Sequence, residues 1–157
     1  MRYTTMDSPI GELLLAGDQG GLCRVSMSPF AIDRRWERDD TPFEGVRRQL
    51  EQYFNGERRE FDVRLDVGGN RFEVAVWDAL RRIPYGTTTS YGHIARALGH
   101  PRAPRAVGVA NARNPVAIIV PCHRVIGANG SLTGYGGGLE RKRFLLELEA
   151  GVMPLSA

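Results

Sequence analysis

Between Ile118 and Gly127 the chain reads Ile-Ile-Val-Pro-Cys-His-Arg-Val-Ile-Gly, which sets a thiol, an imidazole and a guanidinium side by side between two β-branched apolar runs. A cysteine attacks as its thiolate, and neighbouring His and Arg favour that form. An isolated cysteine is more often a buried small hydrophobe. The adjacency of Cys122, His123 and Arg124 places a nucleophile beside that bland reading, although consecutive side chains need not share a direction.

The elements on either side must position this thiol. Val116-Ala117-Ile118-Ile119-Val120 suits a buried strand, and Pro121 cannot donate to a ladder, so Cys122 is expected on a turn at the strand's end. Downstream, Thr133-Gly134-Tyr135-Gly136-Gly137-Gly138 is a Gly-rich loop that lacks the Lys and Ser/Thr of a phosphate loop. It reads either as a flexible connection or as a backbone that approaches a flat ligand, with Tyr135 as a wall. A last helix is predicted from about Leu139 to Glu149, with Phe144, Leu145 and Leu148 inward. Glu149 at its end is either solvated or available to orient an imidazole. Val152 to Ala157 read as a frayed tail.

Upstream, Asn70 with Glu73 starts a helix as a capping box does, and Phe72, Ala75, Val76, Ala79, Leu80 and Ile83 share one face. Trp77 beside it is a core residue by this reading, and Pro84-Tyr85-Gly86 ends the helix. Ser90 can cap a short helix from Tyr91 to Leu98. Gly99-His100-Pro101-Arg102 is a turn, and a second helix follows from about Ala103 to Ala112. The pair resembles a helix-turn-helix. Small residues would let the second helix approach a groove, with Arg105 reaching phosphates or the base stack; the alternative is close helix packing inside a core.

The first 67 residues carry no set that suggests chemistry. Short strand-like runs to Met27 form a meander, and Cys23 within them is a strand residue. Residues 28–43 read as a surface loop, a helix spans about Glu44 to Asn55, and Phe61 to Val67 alternate as a half-buried strand. Gly68-Gly69 marks the boundary between residues 1–67 and residues 68–157.

Composition bounds the rest. The chain has 157 residues, 42% hydrophobic and 25% charged, enough for one sizeable soluble domain or two small ones. No apolar run could span a bilayer and the start lacks a signal-peptide centre, so a cytoplasmic protein with no membrane partner is expected. Two cysteines in that setting are expected as thiols, and they form no paired-ligand spacing with His93, His100 and His123, so no metal is expected. The first 67 residues hold 10 basic and 13 acidic groups and the rest 11 and 5, a net +6 that could face a polyanion.

With Pro121-Cys122-His123-Arg124-Val125-Ile126 in view, the sequence resembles the O6-alkylguanine-DNA alkyltransferases, or methylated-DNA-protein-cysteine methyltransferases. Ile83-Pro84-Tyr85-Gly86, Ser90-Tyr91, Arg105-Ala106-Val107-Gly108, Asn114-Pro115 and the Tyr-Gly loop occur in the family's order. The resemblance implies an α/β (α+β) protein in two parts: a small ribonuclease H-like α/β domain over 1–67, then a mostly helical domain over 68–157 with a winged-helix-like helix-turn-helix. It implies Cys122 as alkyl acceptor, His123 as the base acting through a water, Glu149 orienting that imidazole, Asn114 bracing the turn, and Tyr91 aiding nucleotide rotation and donating toward the guanine. Arg105, filling the gap left by the extruded base, would contact DNA with Ala106, Gly108, Arg124 and Ser90. Tyr135, Gly136, Gly137 and Val125 would line the base pocket.

The implied reaction is irreversible repair: one alkyl group per molecule passes from O6-alkylguanine to Cys122 without a cofactor, O4-alkylthymine being left open as a second substrate. The implied partner is double-stranded DNA, bound through the minor groove by a monomer, with side-by-side binding of several copies left open. Two departures stand out. Gly136 replaces a common Ser, so only its N–H can serve the base oxygen, and Pro104 begins the second helix, where its missing N–H costs nothing. The rivals are a lesion-binding module, which would lack the acceptor Cys, and a Cys-His hydrolase, for which no distant triad partner is evident.

Overall fold

The computed structural model describes residues 1–132 and 134–151, so the expectations for Thr133 and for the tail after Gly151 lie outside the described residues. The described chain divides into two compact units, one of Met1–Val67 with Pro115–Ala117, the other of Gly68–Asn114 and the described residues from Ile118 to Gly151.

In the first unit, strands β1 (Arg2–Met6), β2 (Leu13–Asp18) and β3 (Gly21–Met27) form the expected antiparallel meander, with β2 in the middle and Leu13, Leu14, Leu15 and Ala16 wholly buried. Residues 28–43, expected as a loop, contain a two-residue strand β4 (Glu37–Arg38), parallel to β1, and a 3-10 turn at Thr41–Phe43. Helix α1 (Glu44–Phe54) buries Leu50 and Tyr53.

Two expected strands do not form. Phe61 to Val67 keep their alternation of burial but pair only through a bridge between Leu22 and Leu65. The run Val116 to Val120 pairs only through Val116 and Val25. The reason is a shared edge: β3 gives Leu22 to one segment and Val25 to the other, so neither finds a row of free partners. After Ala117 the run turns, with Ile118 at φ 72, a conformation that a β-branched residue adopts only under constraint.

The second unit begins with α2 (Arg71–Arg81), capped as expected: the Asn70 side chain accepts from the Glu73 N–H at 2.8 Å and the Glu73 carboxylate accepts from the Asn70 N–H at 3.0 Å. Trp77 is buried, and its indole N–H donates to the Ala110 carbonyl at 2.9 Å. Strand β5 (Thr89–Ser90) leads into α3 (Tyr91–Ala97), whose N–H at His93 is capped by Ser90. Gly99 turns the chain at φ 80, and α4 (Pro104–Ala112) follows with Pro104 in its first turn. A 3-10 turn, Cys122–Arg124, runs into β6 (Val125–Ile126), which lies parallel to β5. Helix α5 (Leu139–Glu149) closes the described chain.

Two further features belong to the first unit. A cavity of about 730 Å³ has Leu22 and Phe43 in its wall and Arg2, Arg35 and Arg64 around it. Asp18 and Cys23 on one hairpin and Asp66, distant in sequence, bring ligand-type atoms within 4.8 Å of one another, which residue spacing did not foretell. Burial first, then the two carboxylates, pushes the Cys23 thiol up, so these acids disfavour its thiolate.

Candidate active site

Cys122 opens the 3-10 turn and is 7% exposed. Its N–H returns to the Val120 carbonyl at 2.8 Å, across the bend that Pro121 completes. Two asparagines, Asn111 in the last turn of α4 and Asn114 just beyond it, hold this bend. The Asn114 amide donates to the Val120 carbonyl at 2.7 Å and also engages the thiol; the Asn111 amide donates to the Cys122 carbonyl at 3.3 Å.

The next two residues turn inward to α5. His123 is fully buried, with Nε2 2.7 Å from Glu149 Oε2. Arg124 donates from Nε to Oε1 at 2.7 Å, from Nη2 to Oε2 at 3.0 Å, and from Nη1 to the Ile83 carbonyl at 2.7 Å. The Gly86 N–H adds a longer donation to Glu149, and the Arg124 guanidinium lies 5.7 Å from the Tyr85 ring centre. A buried carboxylate is tolerable only when its charge and lone pairs are so matched. Seven residues earlier on the same face of α5, Lys142 is also fully buried and donates to the Val125 carbonyl at 2.6 Å. One helix thus grips residues 123–125 with a carboxylate and an ammonium.

Electrostatics set the resting protonation. Burial pushes the Cys122 thiol up, with Asn114 and Lys142 partly opposing, so it rests as a thiol near neutral pH. Burial pushes His123 down, with Glu149 opposing, so it rests neutral. A carboxylate at Nε2 requires the proton there, which leaves the lone pair on Nδ1. Among the described residues the buried side-chain atoms with no hydrogen-bond partner are Asn111 Oδ1, His123 Nδ1 and the Tyr135 hydroxyl, all from residues gathered around Cys122. The Tyr135 hydroxyl lies near the thiol without a well-directed bond, and burial above all raises it well above its usual value. The arrangement is a buried thiol followed in the chain by a buried neutral imidazole whose Nδ1 lone pair has no partner among the described residues.

The remaining expected residues spread around this centre. Tyr91 is half-buried at the start of α3; a Cβ built on Gly108 would lie 3.8 Å from its ring and one on Gly134 3.7 Å from its hydroxyl. Arg105 and Ala106 are exposed on α4, and Ser90 spends its hydroxyl on the α3 cap. Gly136 is exposed, Gly137 half-buried and Val125 fully buried. Arg124 corrects an expectation: instead of facing DNA, its guanidinium is 7% exposed and committed to Glu149 and Ile83.

Residues 71–151 match the family model for the 6-O-methylguanine DNA methyltransferase DNA-binding domain, and residues 1–67 match that for its ribonuclease-like domain. The chain belongs to this family. It is 53% identical to the methylated-DNA--protein-cysteine methyltransferase of Methanosarcina acetivorans, covering 95% of this chain and 98% of that one. With the protein of the same name from Mycobacterium tuberculosis it shares 54%, covering 98% and 95%. The crystal structure of Mycobacterium tuberculosis OGT in complex with DNA superposes with a TM-score of 0.94, at 54% identity over 99% and 97% of the two chains. An O6-methylguanine DNA methyltransferase from Methanococcus jannaschii is more distant, with a TM-score of 0.68 at 28% identity over 96% and 95%. The two-part α/β architecture is thus that of the methyltransferase family.

Sequence reasoning missed Lys142 and Asn111 in this methyltransferase site. The spacing of seven between Lys142 and Glu149 was a usable signal, since it puts both on one helical face, but lysine is so commonly solvated that the pattern reads as surface. Asn111 falls in the inward register of Val107 and Ala110, and its polarity there was the available sign.

Proposed function

We propose that this protein repairs DNA by direct reversal, moving a methyl or other alkyl group from O6 of guanine to Sγ of Cys122. The observation that carries the reading is the buried Cys122 thiol, followed directly in the chain by a buried neutral imidazole whose proton is held at Nε2 by Glu149. Its setting within a family named for this transfer, and near a relative crystallised with DNA, supports the substrate.

An O6 substituent is hidden in a duplex, so the nucleotide must rotate into the site, at a cost of a few kcal/mol. On this reading α4 enters the minor groove, where Ala106 and Gly108 permit close approach and exposed Arg105 fills the gap left by the base. Tyr135 and the backbone of Gly136 and Gly137 border the guanine. Through one water, His123 Nδ1 takes the thiol proton, and Glu149 steadies the imidazolium that forms. The sulfur then forms its bond to the alkyl carbon as the bond from that carbon to O6 breaks, and the electron pair passes into the purine. Tyr91 donates a proton toward the departing ring and recovers one from the relay, so that the thiol proton ends on guanine. The thioether is stable, so each molecule acts once.

The test is intact mass with peptide mapping after mixing with a duplex bearing one O6-methylguanine. One methylene gained on Cys122, saturating at one per molecule, is expected, and Cys122→Ala should gain none while still binding the duplex. Transfer retained in Cys122→Ala would refute the acceptor, and tight binding with no mass change would favour a lesion-binding role.

A further inference from the structure

Asn111 is a polar residue in an apolar place. On α4, Val107, Ala110 and Asn111 are 0%, 1% and 2% exposed, whereas Arg105, Ala106, Val109 and Ala112 face outward. Its Nδ2 donates to the Cys122 carbonyl at 3.3 Å, and its Oδ1 has no partner among the described residues. The bond is longer than the usual span for N–H···O, and an unpaired buried acceptor costs about 1–3 kcal/mol. The Cys122 carbonyl does not depend on the amide, because the Val125 N–H donates to it as well. A leucine of similar size would fill the space without the unpaired acceptor, so Asn111 is poorly explained by stability, the circumstance in which a functional reason is sought.

What the amide does supply is a direct link. The inner face of the helix whose outer face carries Arg105 is joined to the main chain of the acceptor residue itself. The amide cannot be turned over, since Oδ1 would then oppose the carbonyl oxygen. Asn114 grips Val120 at 2.7 Å, so the last turn of α4 and the segment just beyond it hold the bend at two points flanking Pro121.

We propose that Asn111 is a positioning residue through which the seating of α4 on DNA sets the aim of the Cys122 sulfur. The inference rests on the repair reaction proposed above. Near-attack geometry is demanding enough that a displacement of about 1 Å costs up to about 100-fold in rate. A link from the DNA-facing helix to the sulfur makes that geometry better when the duplex is bound than when a free base diffuses in.

The experiment compares the unaltered protein with Asn111→Leu and with Asn111→Ala, whose helix-favouring side chain guards against a folding failure particular to Leu. Four quantities are read: unfolding midpoint, duplex affinity, single-turnover transfer from bound O6-methylguanine duplex, and transfer from free O6-benzylguanine. Asn111→Leu should keep or raise the midpoint and Asn111→Ala should stay folded at the assay temperature, both keeping duplex affinity within about 2-fold, while transfer from the bound duplex slows roughly 10-fold and from the free base less than about 3-fold. Unchanged duplex transfer overturns the proposal. Equal slowing on both substrates assigns Asn111 to the turn alone and overturns the coupling, and parallel loss of stability and both rates reduces it to packing. A mass gain on Cys122 in the unaltered protein keeps these outcomes separate from failure of the repair reading, which its absence would signal.

Discussion

At the scale of residues, the site depends on burial opposing ionisation at two neighbouring groups. Cys122 is pushed up and His123 down, so the resting pair is thiol and neutral imidazole, and the proposed reaction requires a proton to move from one to the other. The pH dependence follows. A base lowered below its usual value, about 6.5 for histidine, stays competent as pH falls through that value. The single-turnover rate on duplex is therefore expected to be flat from about pH 8 to 7, with its acid limb centred below roughly 6.5; a midpoint above that would show His123 to be easier to protonate than its burial allows. Stability has the same sign. With the folded pKa depressed, His123 contributes stability that is present above the unfolded value and is lost as pH falls from there toward the folded one. Cys122, with its folded pKa raised, contributes stability below its unfolded value that is lost as pH rises past it. The thiol, the imidazole and Glu149 were all legible as residue types, because a Cys-His-Arg run beside a proline and a carboxylate at a helix end are local features. The unpaired atoms of Asn111, His123 and Tyr135 were not, since whether a polar atom finds a partner depends on residues far away in the chain.

At the scale of elements, α4 faces two ways. Its small outer residues and Arg105 are exposed, and its inner residues pack or bond inward, among them Ala110, whose carbonyl receives the Trp77 indole. Arg105→Ala should therefore leave the fold intact, because the side chain has no burial to lose. It is expected to slow repair in duplex by about 10-fold or more while transfer from free O6-benzylguanine changes little, if the guanidinium spares the unstacking cost of a few kcal/mol. Equal losses on both substrates, measured by intact mass against time, would remove it from the base stack. The helices were readable because capping residues and an apolar period of 3.6 act within one segment, as the capping box of Asn70 and Glu73 does. The strands of residues 61–67 and 116–120 were misread for the complementary reason. Alternation reports an extended backbone, whereas a ladder needs a partner edge, and β3 divides its edge between both segments.

At the scale of the whole molecule, charge is divided unevenly between residues 1–67 and the rest, which hold 11 basic and 5 acidic groups. Two of those basic groups, Arg124 and Lys142, are buried in the site and cannot serve as phosphate contacts. Binding to undamaged duplex should still weaken with salt, by about 0.9 in the logarithmic slope for each phosphate neutralised. A titration by fluorescence anisotropy across salt concentrations checks this, and a flat response would show that charge plays no part in docking. The sequence by itself determined the helices, the candidate nucleophile and the family, because capping, periodicity and the Pro121-to-Ile126 motif are written in contiguous residues. Only tertiary structure decided that Arg124 turns inward, that Lys142 and Glu149 clasp one turn, and that Asn111 reaches the Cys122 carbonyl. Each of these joins residues at least 11 apart in the chain, where the energy of a buried charge or amide is set by the partners the fold supplies.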